Sequence, residues 1–260
     1  MTVPHFTING ITRPVRAVIF DKDGTLIDFG SLWSAVAHSR IANIVGGVGT
    51  RDTGKLQSLL LAATGLGPAG NVDPFGPLAT ASRSEELTMA AGTLYVHCGI
   101  PYVEARELCR QAFAAVNETE LLETYTRPLP GVPAILQYLR QAGLQLGIAS
   151  TDTTANIMRG NQLLDIEDLI AVSLGADRVP SGKPNPDMLI LAAELLNIPV
   201  AEMIMVGDGV VDMQMGRNAG VAFTVGVLTG VARAEQLQPF ADILLPSLSE
   251  WPRDRLLQAN

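Results

Sequence analysis

Val15-Arg16-Ala17-Val18-Ile19-Phe20 runs directly into Asp21-Lys22-Asp23-Gly24-Thr25, and the fold is decided on this stretch. The first six residues are short, mostly apolar and rich in β-formers, which predicts a buried strand that stops at Asp21. Past the strand, two carboxylates flank Lys22. In extended backbone, positions i and i+2 point the same way, so Asp21 and Asp23 can face one site. Two close carboxylates repel, and a divalent cation relieves that repulsion. Mg²⁺ takes oxygen ligands and shares its shell with phosphate and water. Taken alone, Asp, Gly and Thr are also ordinary turn residues.

Upstream, Phe6-Thr7-Ile8 and Ile11-Thr12 flank Asn9-Gly10, a hairpin signal. Downstream the pattern turns helical, at Ser31–Val45, Lys55–Ala63, Ser84–His97 and Val103–Val116, with a Gly/Pro-rich loop from Gly65 to Pro77. After Pro128-Leu129-Pro130-Gly131, helices alternate with strands. The helices fall at Val132–Ala142, Thr153–Leu164, Asn185–Leu196 and Met213–Ala219. The strands fall at Leu144–Ala149, Ala171–Leu174, Met203–Val206, Ala222–Val227 and Asp242–Leu245. Such alternation implies an α/β fold with a doubly wound parallel sheet. The expected organisation is a core from residues 1–28 and 129–260, interrupted by an all-helical insert over 29–128. The insert leaves just after the Asp21 loop. It is therefore expected over the carboxyl end of the first strand, where open α/β sheets bind ligands.

Three further strand ends carry polar chemistry. Ser150-Thr151-Asp152 follows an apolar strand, and Ser150 can donate to a phosphate oxygen or merely cap the next helix. Ser181-Gly182-Lys183-Pro184-Asn185-Pro186-Asp187 holds a lysine in a proline-stiffened turn, suited to neutralising a phosphoryl group. Val206-Gly207-Asp208-Gly209-Val210-Val211-Asp212 ends a strand in acids that can share a cation or sit at a helix N-terminus. Each has an ordinary structural explanation. Together they bring acid, hydroxyl, lysine and acid to one rim of one sheet.

The 260 residues are 47% hydrophobic and 17% charged, a globular composition. A formal net charge of -8 supplies no general attraction to nucleic acid or an anionic membrane. Mean hydropathy is positive at +0.25, yet no apolar run approaches the ~20 residues of a spanning helix. Met1 to Gly10 lacks a signal-peptide pattern, and a cytoplasmic protein is expected. Cys98 and Cys109 are too few for a disulfide framework and are expected reduced. Lys22, Lys55 and Lys183 are the only lysines.

Asp21-Lys22-Asp23-Gly24-Thr25, Ser150, Gly182-Lys183-Pro184 and Gly207-Asp208 with Asp212 resemble, in order and spacing, the motifs of the haloacid dehalogenase-like superfamily, with closest similarity to phosphoglycolate phosphatase-like members. The resemblance implies a Rossmann-like core with a helical cap and a Mg²⁺-dependent hydrolase of a small phosphate ester. It makes Asp21 the nucleophile and Asp23 the acid and base. Mg²⁺ would rest on the Asp21 carboxylate, the Asp23 backbone carbonyl and Asp208, supported by Asp212. Ser150, Thr151 and Lys183 would bind the phosphoryl group. Lys22 is expected to point away without a catalytic role.

Asp23 separates an ester phosphatase from dehalogenase-like and phosphonate-cleaving members. Asp28-Phe29-Gly30-Ser31 resembles phosphonoacetaldehyde hydrolases, in which a cap lysine, here Lys55, would form a Schiff base. A phosphomutase shares the same motifs. Trp33, Arg51, Lys55 and Arg83 are the cap candidates for substrate specificity.

Overall fold

The computed structural model describes residues 3–49, 52–67 and 70–257. It divides into two compact units, one of Met1–Phe29 with Thr126–Asn260 and one of Gly30–Tyr125. The chain opens with a hairpin, β1 (His5–Ile8) and β2 (Ile11–Pro14), in the register Ile8↔Ile11. Its two-residue turn places both Asn9 (φ 51°) and Gly10 (φ 76°) at positive φ, which the twist of a tight hairpin requires. β3 (Ala17–Phe20) follows, buried along its whole length.

The helical unit is built from α1 (Phe29–Val48), α2 (Thr53–Thr64), α3 (Pro77–Thr80), α4 (Arg83–Cys98), α5 (Tyr102–Ala114) and α6 (Glu118–Tyr125). The start of α4 is a reciprocal cap. Ser82 N–H donates to Glu85 Oε2 at 2.7 Å, and the Glu85 N–H donates to Ser82 Oγ. Ile41, Ile44, Leu56, Leu60, Leu94 and Phe113 form its apolar centre. Beside it, buried Arg40 donates to Glu86 and, at 2.7 Å, to Glu118 Oε1, while its guanidinium stacks 4.7 Å from the Phe113 ring centre. Burial pushes the Glu86 carboxyl up to about 7, against the lowering charge of Arg40. α6 escapes the sequence reading because it is short and carries three glutamates, with Leu122 its one buried residue.

The α/β unit resumes with α7 (Val132–Gln141), β4 (Gln145–Ser150), α8 (Thr154–Leu163), β5 (Ile170–Gly175), α9 (Asp187–Leu196), β6 (Met203–Gly207), α10 (Val210–Ala219), β7 (Phe223–Val227), α11 (Ala234–Leu237), β8 (Ile243–Leu245) and β9 (Leu256–Leu257). Six strands pair in parallel in the order β5-β4-β3-β6-β7-β8, the doubly wound sheet expected from the alternation. β3, β6 and β7 are buried at every position because helices cover the sheet. Ala17, Ile19, Met203 and Met205 pack with Met188, Leu189 and Ala192 of α9 and Met215 of α10.

β9 adds a third strand to the hairpin, too short to leave a periodic signal. α9 begins two residues later than its sequence pattern because Pro184 and Pro186 precede it, and α10 begins three residues earlier because Gly209 and Asp212 cap it. The strand leading out to α1 and the segment returning from α6 are bridged at Ile27↔Pro128. Among the described residues, no helix is long and apolar enough to cross a membrane.

Candidate functional site

The strand order reverses between β3 and β6: β4 and β5 lie to one side of β3, and β6, β7 and β8 to the other. A crevice opens at the carboxyl ends of two strands that part in this way. Phe20 aligns with Ile148 of β4 and with Val206 of β6, and Asp21 N–H continues the ladder by donating to Val206 O at 2.8 Å. Asp21, Ser150 and Asp208 therefore arrive at the same rim within one residue of one another.

There the side chains converge. Lys183 Nζ lies 2.5 Å from Asp21 Oδ1 and 2.6 Å from Asp212 Oδ1. Carboxylate oxygens of Asp21, Asp208 and Asp212 all lie within 4.8 Å of one another, and all three residues are buried. Asp212, in the first turn of α10, also accepts from Gly209 N–H at 2.9 Å, so its carboxylate is held from two sides. Asp208 is fixed by the Val231 N–H at 2.9 Å and the Thr25 hydroxyl at 3.2 Å.

One lysine thus faces three buried acids. Burial, more than its acidic neighbour Asp212, pushes Asp21 up to about 6 even with Lys183 beside it. Asp208 is driven well above the usual carboxylate range by burial and then by Asp21 and Asp212. Lys183 moves the other way: burial would lower it, but Asp21 and Asp212 outweigh burial and hold it charged.

Asp23 belongs to a second, adjoining group. Its Oδ2 lies 3.2 Å from Lys22 Nζ, which donates to Asp152 Oδ2 at 2.6 Å. Asp152 accepts in turn from Thr153 N–H at 2.7 Å and Asn156 Nδ2 at 2.9 Å. This corrects the sequence expectation for Lys22. Alternation sends its Cβ away from Asp21 and Asp23, but its four-carbon stem is long enough to bring the amine back to the Asp23 carboxylate. The Asp23 side chain is not among the three carboxylates that gather beside Lys183.

Ser150, fully buried, accepts from Asp152 N–H at 3.2 Å, and half-buried Thr151 follows it at the end of β4. The segment after β7 went unread in the sequence. Thr229 Oγ1 donates to Gly24 O at 2.6 Å, and Gly230 packs directly on the Asp208 side chain. Leu228-Thr229-Gly230, a strand end closing on a glycine, is the signal that could have found it.

In the helical unit, the Arg83 guanidinium is engaged by Glu118 at 2.7 Å and Phe113 O at 3.2 Å, and the Trp33 ring lies 5.9 Å from the Arg40 guanidinium carbon. Lys55 is exposed on the first turn of α2, and Arg51 lies outside the described residues. Cys98 and Cys109 are both free thiols, and burial pushes Cys109 up to about 11, leaving it inert.

The family model for haloacid dehalogenase-like hydrolases matches residues 15–220, the span that holds every acid and lysine of the cluster. The chain belongs to this family. A curated phosphoglycolate phosphatase of Shigella boydii is 30% identical over 241 residues, covering 91% of this chain and 90% of that protein. The pyrophosphatase PpaX of Listeria welshimeri is 34% identical over 121 residues, covering 46% of this chain and 55% of that protein. The crystal structure of a predicted phosphoglycolate phosphatase from Haemophilus somnus shares the fold with a TM-score of 0.67 at 19% identity, over 91% of this chain and 96% of that one.

As a haloacid dehalogenase-like hydrolase, the chain has a cluster suited to a hard divalent cation. Three buried carboxylates against one ammonium leave an excess of negative charge, and every donor in the cluster is oxygen. The raised Asp21 and Asp208 carboxyls mark the charge that such an ion would neutralise.

Proposed function

We propose that this chain is a Mg²⁺-dependent phosphatase of a small phosphate monoester, acting through an aspartyl-phosphate on Asp21. The observation that carries the reading is Lys183, whose amine sits 2.5 Å from Asp21 Oδ1 and 2.6 Å from Asp212 Oδ1 at the switch point of the sheet. A phosphoryl group arriving at Asp21 meets a fixed positive charge beside its point of attachment. Charge neutralisation and positioning are most of what phosphoryl transfer requires.

In the first step an Asp21 oxygen attacks phosphorus and the ester P–O bond breaks. Asp23 gives its proton to the departing alkoxide. In the second step Asp23 takes a proton from water as that water attacks phosphorus, and the bond to Asp21 breaks to release phosphate. Lys183, Ser150 and Thr151 bind the phosphoryl oxygens. Asp212 keeps Lys183 in place. Asp21, the Asp23 carbonyl and Asp208 would hold Mg²⁺, which would supply charge neutralisation at the phosphoryl oxygens.

Similarity to a phosphoglycolate phosphatase over most of the chain supports a small anionic ester, and the shorter similarity to a pyrophosphatase adds pyrophosphate as a second candidate. The Schiff-base alternative needs a lysine set in a desolvated pocket. Lys55 is exposed on the first turn of α2.

The test is a phosphate-release screen over phosphoglycolate, sugar phosphates and pyrophosphate, with Mg²⁺ and with EDTA. Release from at least one ester with Mg²⁺ and its loss in EDTA are expected. Full activity in EDTA refutes the mechanism.

Metal binding should also be visible without substrate. Asp21 is raised from 3.8 to about 6, so the native state binds more protons than the unfolded chain between these values. Its contribution to stability therefore falls as pH rises through this window. Bound Mg²⁺ would offset the charge that the proton otherwise offsets. At about 100 times its Kd it should stabilise by about 2.7 kcal/mol, a rise in Tm of about 5–10 °C. The rise should be clear near pH 7.5 and much smaller near pH 5, in thermal scans at matched ionic strength. An equal rise at both pH values, or none at either, contradicts the assignment.

A further inference from the structure

We infer that Lys22 is the positioning residue for Asp23, a role that rests on the phosphatase reading above for its catalytic meaning but on geometry for its existence. The Lys22 amine joins two carboxylates from different strand ends: Asp23 Oδ2, 3.2 Å away beyond β3, and Asp152 Oδ2, 2.6 Å away beyond β4. All three residues are buried. Asp152 cannot swing with the lysine, because the Thr153 N–H and Asn156 Nδ2 hold its other oxygen at 2.7 and 2.9 Å, at the start of α8. The stem of Lys22 runs beside α8 at Gly160, where a Cβ would stand 4.0 Å from its Cδ.

The amine is thus anchored to the rigid end of one strand and reaches across to hold the side chain of its own neighbour. Lys183 faces Asp21 and Asp212 instead, so the two lysines divide the work. One faces the attacking carboxylate and the other orients the carboxylate that handles the proton. An acid and base that must act on two different oxygens in successive steps gains rate from being held in one orientation.

The test compares wild type with Lys22→Met, Lys22→Arg and the double variant Lys22→Met/Asp152→Asn, on whichever ester the screen identifies. Met keeps the length of the stem and deletes the charge. Lys22→Met should lower kcat about 10–100-fold while KM stays within about twofold. Lys22→Arg should restore part of kcat, since it keeps the charge with altered geometry. The double variant removes the unpaired buried Asp152 charge, so it should regain thermal stability without regaining kcat.

Wild-type kcat in Lys22→Met, or recovery of both stability and kcat in the double variant, overturns the proposal. A crystal structure of Lys22→Met, or of the double variant if the single one does not fold, gives an independent readout. The Asp23 carboxylate should turn from its wild-type orientation, and an unmoved carboxylate overturns the proposal. That readout holds even if wild type releases phosphate from no ester, a result that would refute the phosphatase reading alone.

Discussion

Asp21→Asn should lower phosphate release on the order of 10⁴-fold or more, because an amide cannot form the acyl phosphate on which turnover depends. The substitution is nearly isosteric, so the site should keep its shape. Lys183 retains Asp212 at 2.6 Å as a partner and stays anchored. Stability should move in the opposite direction from activity. Burial already pushes the Asp21 carboxyl up to about 6, so its charge is a liability at neutral pH without metal. Removing that charge also relieves Asp208, whose carboxyl Asp21 helps to raise. Without Mg²⁺ at neutral pH, the variant should therefore melt at or above the wild-type temperature, while showing a smaller Mg²⁺-induced rise. Parallel thermal scans and phosphate-release assays check both halves. A variant with a tenth of wild-type activity removes Asp21 from the role of nucleophile.

Gly230→Ala should also be damaging, from a residue that carries no chemistry. A Cβ on Gly230 would lie 1.8 Å from Asp208 Oδ2 and 2.2 Å from its Cγ, far inside any tolerable contact. The carboxylate has little room to move, because Gly24 is packed against it as well, and a Cβ there would come within 2.6 Å of the same oxygen. The Ala variant must turn Asp208 out of place or shift the segment after β7. Either breaks the Val231 N–H contact at 2.9 Å. Loss of a preorganised charge at the reacting group costs about 3 kcal/mol, a fall of about 10²-fold or more in kcat/KM. The Mg²⁺ needed for half-maximal activity should rise about 10–100-fold. Overpacking should lower stability by about 1–3 kcal/mol. Metal titration of activity distinguishes this outcome from simple unfolding. Wild-type Mg²⁺ dependence in a folded Gly230→Ala variant would show that Asp208 does not bind the ion.

Asp21 and Asp208 were legible in the sequence because each sits immediately past an apolar run, Asp212 because it follows Asp208 by one helical turn, and Lys183 because prolines stiffen its turn ahead of a helix; a doubly wound sheet sends such ends to one rim. The parallel, doubly wound character of the sheet followed from the alternation, but its strand order did not. Three things were not legible. Lys22 was misjudged because strand alternation fixes where a Cβ points and not where a long flexible stem ends. Gly230 was missed because its contribution is the absence of a side chain, which only the proximity of Asp208 reveals. The two-residue β9 and the glutamate-rich α6 gave too weak an apolar pattern to register, and tertiary context alone makes them regular.

β3 lies at the centre of the sheet, between β4 and β6. Its partners are far away along the chain: Phe20 pairs with Ile148 on one side and Val206 on the other. During synthesis the first central strand must wait, apolar on both faces, through the whole helical unit before either neighbour exists. Such distant pairings fold slowly and leave a sticky strand exposed in the meantime. The acidic cluster comes together later still, since Asp21 precedes the helical unit while Asp208 and Asp212 follow β6. A cation held by Asp21 and Asp208 would therefore report that the stretch from β3 to α10 has been made and has folded.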